Sequence, residues 1–179
     1  GANRLGTNSL VDILVYGRRS GRAAAQYVRQ ADLAPLKDDA DAIARGEINR
    51  LMNSTGKESV AKIRGEMQGF MTLQCGVFRT NSGLENAKRS ISELKARYKN
   101  VALQDHTKKF NTDLLEAMEL GYLIDLAEAT AHSAALRTES RGAHAREDYP
   151  KRDDKNWLKH TFVSNKGSKI RFAFKPVTI

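Results

Sequence analysis

The stretch from Asp113 to about Thr138 constrains the fold more than any other part of this 179-residue chain. Asn111 or Thr112 can cap it, and Leu114, Leu115, Met118, Leu120, Tyr122, Leu123, Ile124 and Leu126 then wrap most of a helix's circumference. A helix that is apolar nearly all round has to be covered by neighbours, so this one is expected at the centre of a bundle. Candidate neighbours precede it. Leu36, Ala40, Ile43, Ala44, Ile48 and Leu51 follow helical spacing, with Gly46 as a weak point. Thr55-Gly-Lys-Glu58 has the form of a capping box ahead of Val60, Ile63, Met67, Phe70 and Met71. Ser82-Gly-Leu-Glu85 has the same form and introduces Leu84, Ala87, Ile91, Leu94 and Tyr98.

Ahead of these, a helix is expected from about Ser9 to Gln30, with Asn8 or Ser9 as its cap and Asp12 in its first turn, where a negative charge suits the dipole. Gly17 and Gly21 share one face of it and read as a packing device. Ala34-Pro35 breaks the chain, because the residue before a proline disfavours helix. After Gly142 the character changes to charge and turn residues through Asp154, and Trp157–Ser164 and Lys169–Val177, separated by Asn-Lys-Gly, predict a β-hairpin. Trp157, Phe162, Phe172 and Phe174 read as alternating core residues of that hairpin. The fold class expected is mainly α: an antiparallel, spectrin-repeat-like helical bundle with one helix of another domain before it and a small C-terminal β-hairpin after it. Its divisions are 1–35, 36–141 and 142–179.

The formal charge of +9 would suit nucleic acid or an acidic surface. Most of the bases, however, alternate with acids along helices, as in Lys57-Glu58, Lys62, Arg64 and Glu66, which is how a solvated face looks. Only Lys151-Arg152 and Lys166, Lys169, Arg171 and Lys175 are locally basic, and nucleic acid is not an expected partner. The single cysteine, Cys75, lies in an apolar helical pattern and reads as a buried, inert thiol of a reducing compartment. His106, His132 and His160 show no zinc-ligand spacing with it, so no metal is expected. No apolar run approaches the roughly 20 residues that cross a bilayer. Gly1 and Gly6 have the spacing of a phosphate loop but lack its lysine, and no Gly-x-Gly-x-x-Gly occurs.

Arg4 stands in a small-residue loop just before the first helix. A guanidinium beside a helix N-terminus can grip a carboxylate through two parallel hydrogen bonds. On spacing alone it could equally be a surface arginine. The whole run Gly-Ala-Asn-Arg-Leu-Gly-Thr-Asn-Ser-Leu, continued by Val11 to Arg18, resembles the last FAD-contacting segment of the succinate dehydrogenase and fumarate reductase flavoprotein family. A second stretch resembles the C-terminal signature of the same family: Arg137-Thr-Glu-Ser-Arg-Gly-Ala-His-Ala-Arg-Glu-Asp-Tyr-Pro150, then Arg152-Asp-Asp and Asn156-Trp-Leu-Lys-His-Thr161. Read on its residues alone, that stretch is an ion-pair network of Arg137, Arg141 and Arg146 with Glu139, Glu147 and Asp148. His144 has no nucleophile or orienting group at a diagnostic spacing and reads as structural.

The resemblance implies that Arg4 binds a carboxylate of succinate or fumarate and that Ser9 and Leu10 contact FAD. Amides at the helix start would favour negative charge on a reduced flavin. It implies no catalytic residue within this chain, because the family's proton-shuttling arginine and its FAD-bearing histidine lie upstream. Residues 1–35 are then the end of an FAD domain, and a short extreme C-terminus of the family is expected beyond Pro-Val-Thr-Ile179. The parent would oxidise succinate by hydride transfer to covalent FAD. Electrons would pass to an iron-sulfur subunit held by membrane anchor subunits, so the protein would sit at the cytoplasmic face of the bacterial inner membrane or on the mitochondrial matrix side. Fumarate reductase, the same chemistry reversed, is the nearest alternative. L-aspartate oxidases share the first motif but not the long tail. From another class, a basic helical adaptor or nucleic-acid-binding module would account for charge and helices without flavin.

Overall fold

The computed structural model describes residues 8–166 and 169–178. In chain order these form α1 (Asn8–Tyr27), α2 (Ala42–Met52), α3 (Val60–Gln74), β1 (Phe78–Arg79), α4 (Asn81–Tyr98), α5 (Thr112–Leu136), β2 (Ala145–Arg146), α6 (Asp154–Trp157), β3 (Lys159–Lys166) and β4 (Lys169–Pro176). The chain divides into two units, 1–42 and 43–179.

In the first unit, α1 takes in both Asn8 and Ser9, so Ser9 lies inside the first turn rather than capping it. Asp12 falls past that turn. Leu36, expected at the head of the next helix, is exposed, because the chain only turns through 38–41 before α2 begins at Ala42. Three acids, Asp38, Asp39 and Asp41, crowd that stretch and favour turns over helix.

The second unit is built on α3, α4 and α5. Arg97, at the end of α4, pairs at 2.9 Å with Glu58, just before α3, and at 2.5 Å with Glu66 in its first half. The Tyr98 hydroxyl donates to the Ala117 carbonyl near the start of α5, while Lys95 reaches Asp125 and Glu128 further along it. Each helix therefore runs opposite to the one before it. Buried residues recur along α5 in steps of three and four at Ala117, Leu120, Ile124, Ala127, Ala131 and Ala134. They meet Leu84, Ala87, Ile91 and Leu94 of α4 and Val60, Ile63 and Met67 of α3 in one core with Leu51, Val101 and Leu103.

This corrects the expectation of an all-round buried centre. Leu115, Tyr122 and Leu126 are 56, 59 and 64% exposed, and Met118 is half-buried. The seam of α5 is made mostly of alanines, which let α4 approach closely, and its large apolar residues are divided between that seam and an open face. At Gly121 an added Cβ would lie 2.6 Å from the Tyr98 hydroxyl, so glycine is what admits that ring.

The caps also differ from expectation. Ser59, not Thr55, caps α3 by accepting from the Lys62 amide. Glu58 instead bridges to Val101, its amide donating to the Asn100 carbonyl at 3.0 Å. Thr80, not Ser82, caps α4 by accepting from Gly83 at 3.1 Å, and Glu85 pairs with Lys88. Asn111 caps α5 as expected, accepting from the Leu114 amide at 2.7 Å.

The hairpin pairs antiparallel from Lys159↔Pro176 to Lys166↔Lys169. Trp157 belongs to α6 rather than to a strand. Phe162 and Phe174 are 52 and 44% exposed, so these two are not core of the hairpin, whereas Phe172 is half-buried. Trp157 instead meets Phe174 edge-on, and the Lys159 ammonium lies 4.8 and 4.3 Å from the centres of those two rings. A second pairing had no sequence signal: β1 runs parallel to β2, with Phe78↔Ala145 and Arg79↔Arg146.

Candidate functional site

Arg4, the expected carboxylate-binding residue, lies outside the described residues. Ser9 and Leu10, the expected flavin contacts, open α1, where Ser9 is half-buried and Leu10 is 62% exposed. Val11, Ile13, Leu14 and Tyr16 are exposed beside them, and a Cβ added at Gly17 or Gly21 would touch nothing within 4 Å among the described residues.

The densest polar arrangement is at the far end of α5, where the helix leaves carbonyls without intrahelical donors. Arg146, held by β2, is 1% exposed and donates from Nη1 to the carbonyls of Ala134, Ala135 and Arg137 at 3.0, 3.2 and 3.2 Å. Its other edge grips Asp148 through two bonds of 2.8 Å. A cation here complements the negative end of the helix dipole. The Arg146 hydrogen bonds hold the Asp148 carboxyl down at about 2. Asp148 in turn accepts from the Asn81 amide, so one arginine–aspartate pair joins the end of α5 to the start of α4.

Glu139 is fully buried and organises the other half. Its carboxylate accepts from Arg137 at 2.5 Å, from Arg141 at 2.8 and 3.0 Å, and from the Asp153 amide at 2.8 Å. Burial acts to raise its pKa, but these donors outweigh that and hold the group below the usual carboxylate range. Arg141 continues to Asp154, which Arg152 also grips. Arg137 reaches forward to the Trp157 and Lys159 carbonyls and the Thr161 hydroxyl, and lies 4.9 Å from the centre of the Trp157 ring. The expected network is thus present, with Asp154 rather than Glu147 as its third acid among the described residues. It ties α6 and the hairpin to the end of α5.

His144 belongs to the same region. The Arg79 guanidinium donates to its Nδ1 at 2.8 Å, and its Nε2 donates to the Arg137 carbonyl at 3.1 Å. Donor on one side and acceptor on the other define a neutral ring. Burial and the surrounding arginines push its pKa down. Arg79 was not singled out in the sequence; it stands in β1, 65 residues from His144, and no local pattern links the two. Burial pushes the Cys75 thiol up, in keeping with an inert side chain. Among the described residues no cluster of His, Cys, Asp and Glu could hold a metal, and no helix is long and apolar enough to cross a membrane. These contacts clamp and orient, and they set no nucleophile against a base.

A family model described as "Fumarate reductase flavoprotein C-term" matches residues 64–179, which takes in most of the bundle, the clamp and the hairpin. This chain belongs to that family. Members of the wider succinate dehydrogenase and fumarate reductase flavoprotein family match it from end to end. The succinate dehydrogenase flavoprotein subunit of Rickettsia bellii is 42% identical over 181 residues, which is 100% of this chain and 30% of that subunit. The fumarate reductase flavoprotein subunit of Haemophilus influenzae is 43% identical over 183 residues, again 100% of this chain and 30% of the subunit. In structure, a chain of E. coli quinol fumarate reductase matches with a TM-score of 0.89 and 40% identity, over 100% of this chain and 32% of that one. This flavoprotein C-terminal chain therefore spans somewhat under a third of the length of the relatives it matches. Its clamp of Glu139, Arg141 and Arg146 lies within the family match.

Proposed function

We propose that the chain is the C-terminal part of a succinate dehydrogenase flavoprotein subunit. Residues 1–35 would close its FAD domain, 36–141 would form a spectrin-repeat-like helical domain, and 142–179 a small β-containing one. The observation that carries this reading is the end-to-end match to flavoprotein subunits, with Ser9 and Leu10 in the first turn of α1. FAD, when bound, supplies the hydride acceptor. Ser9 and Leu10 fit its edge, since the one is only half-buried and the other largely exposed at the start of a helix whose amides attract negative charge. Arg4 would orient a substrate carboxylate through its planar fork. The exposed apolar side chains of α1 suit a helix whose neighbours belong to the rest of such a subunit.

In the complete subunit, Arg4→Lys should lower kcat/KM for succinate at least about a hundredfold, or roughly 2.7 kcal/mol, because lysine keeps the charge and loses the fork. Flavin content should stay near normal. Near-normal turnover would remove Arg4 from the substrate site, and activity lost only in step with FAD would make it a flavin-binding residue. The chain alone should neither hold FAD nor turn over succinate. Fumarate reductase is the second reading, favoured by the E. coli structural match and the Haemophilus relative. Rates in both directions, measured with one dye couple, separate the two. The same reading gives the subunit an iron-sulfur partner and membrane anchors, with a peripheral position on the cytoplasmic or matrix side.

A further inference from the structure

Beside the clamp lies a cavity of about 230 Å³ lined by Arg79, Thr130, Ser133, Arg137, His144 and Thr161. Its charge is not balanced in the way the clamp's is. Arg137 has Glu139 and Arg146 has Asp148, but among the described residues no carboxylate pairs with Arg79. The half-buried Arg79 donates from Nε to the Gly76 carbonyl at 2.6 Å and from Nη1 to the neutral His144 ring at 2.8 Å. A guanidinium carries five N–H donors, so these two bonds leave donors over and the full charge unmatched. A cation drawn out of water beside neutral partners is costly until an anion joins it.

The other lining groups suit that anion. Thr161 Oγ1 accepts from Arg137, which leaves its own hydrogen free to turn elsewhere. Ser133 adds a second hydroxyl. His144 is held by its two contacts in the form that accepts from Arg79, which fixes where the guanidinium lies. Burial, with a smaller contribution from the charge of Arg146, presses against the protonated form of Arg79.

We propose that this cavity binds a small oxyanion, a phosphate, sulfate or carboxylate group, held by Arg79 and by the Ser133 and Thr161 hydroxyls. It is separate from the Arg4 reading, sharing none of its residues, and needs neither flavin nor turnover.

The test is calorimetric titration of inorganic phosphate into the purified complete subunit at low ionic strength, since screening weakens a single ion contact. Phosphate should bind, and Arg79→Gln should weaken that binding at least tenfold. Arg79 also holds the Gly76 carbonyl, so that variant could fail to fold. Ser133→Asp therefore provides a second route: a carboxylate tethered in the cavity should displace phosphate while the melting temperature is kept or raised. No binding at millimolar phosphate overturns the proposal. So does phosphate binding that survives unchanged in folded Arg79→Gln or Ser133→Asp.

Discussion

Replacing Arg146 by Met removes the donor that seals α5 while roughly keeping the length of the side chain. Three carbonyls lose a partner. That of Arg137 keeps the His144 Nε2 bond, so the uncompensated losses are at Ala134, which is buried, and Ala135. An unsatisfied buried carbonyl costs about 1–3 kcal/mol. Asp148 loses its partner as well, but its side chain is 30% exposed and keeps the Asn81 amide, so it adds little. The expected loss is about 2–5 kcal/mol, a large share of the 5–15 kcal/mol typical of a folded domain. Urea unfolding followed by circular dichroism should show it as a midpoint lower by about 1–2.5 M, for a slope near 2 kcal/mol/M.

The acid limb supplies an independent reading of the same contact. The Asp148 pKa is depressed in the fold from 3.8 to about 2, so its contribution is complete above the higher value and is lost as pH falls through the lower one. The parent should lose stability across that window, and Arg146→Met should lack this share of the loss. A destabilisation under about 1 kcal/mol, or an unchanged acid limb, would show that water or another group serves those carbonyls and that Arg146 does not hold the helix end.

Two contrasts test the bundle. Leu120→Ala, at a fully buried position, should cost about 2–5 kcal/mol, whereas Leu115→Ala, 56% exposed, should cost under about 1 kcal/mol in thermal or chemical unfolding. Equal losses at the two would refute the single-seam packing of α5. Gly121→Ala sets a methyl 2.6 Å from the Tyr98 hydroxyl, which is held by Glu47 and the Ala117 carbonyl. It should destabilise the chain by about 1–3 kcal/mol. Paired with Tyr98→Phe in a double-mutant cycle, it should show coupling, and strict additivity would count against the contact.

What could be read in the sequence was local. The heptad-like recurrence of Leu84, Ala87, Ile91 and Leu94 identified α4, and Asn111 marked the start of α5, because both signals sit within a few residues of what they specify. The seam of α5 was illegible for a physical reason: alanine has too little apolar surface to stand out beside Leu115 or Tyr122, although it is what close helix packing requires. The capping boxes at Thr55 and Ser82 lost to Ser59 and Thr80, which sit directly before the helices and have the free side-chain oxygen. Arg79 and His144 meet only because two-residue strands pair across the bundle, and nothing in the spacing of either announces the other. Arg137, Arg141 and Arg146 could be recognised as a network, but not which acid each would take.

The placement of Arg146 has a consequence for synthesis. The groups that finish α5 and the start of α4 come from residues 146 and 148, after all three bundle helices in chain order. A growing chain on the ribosome can form the turns of α3, α4 and α5 as they emerge, but the bundle keeps an open end until Asp148 has cleared the exit tunnel. The Asn81–Asp148 contact, between residues 67 apart, adds a late step to an otherwise locally driven fold. A chain interrupted between Leu136 and Arg146 would carry every helix of the bundle and still expose its unsealed end to chaperones and proteases.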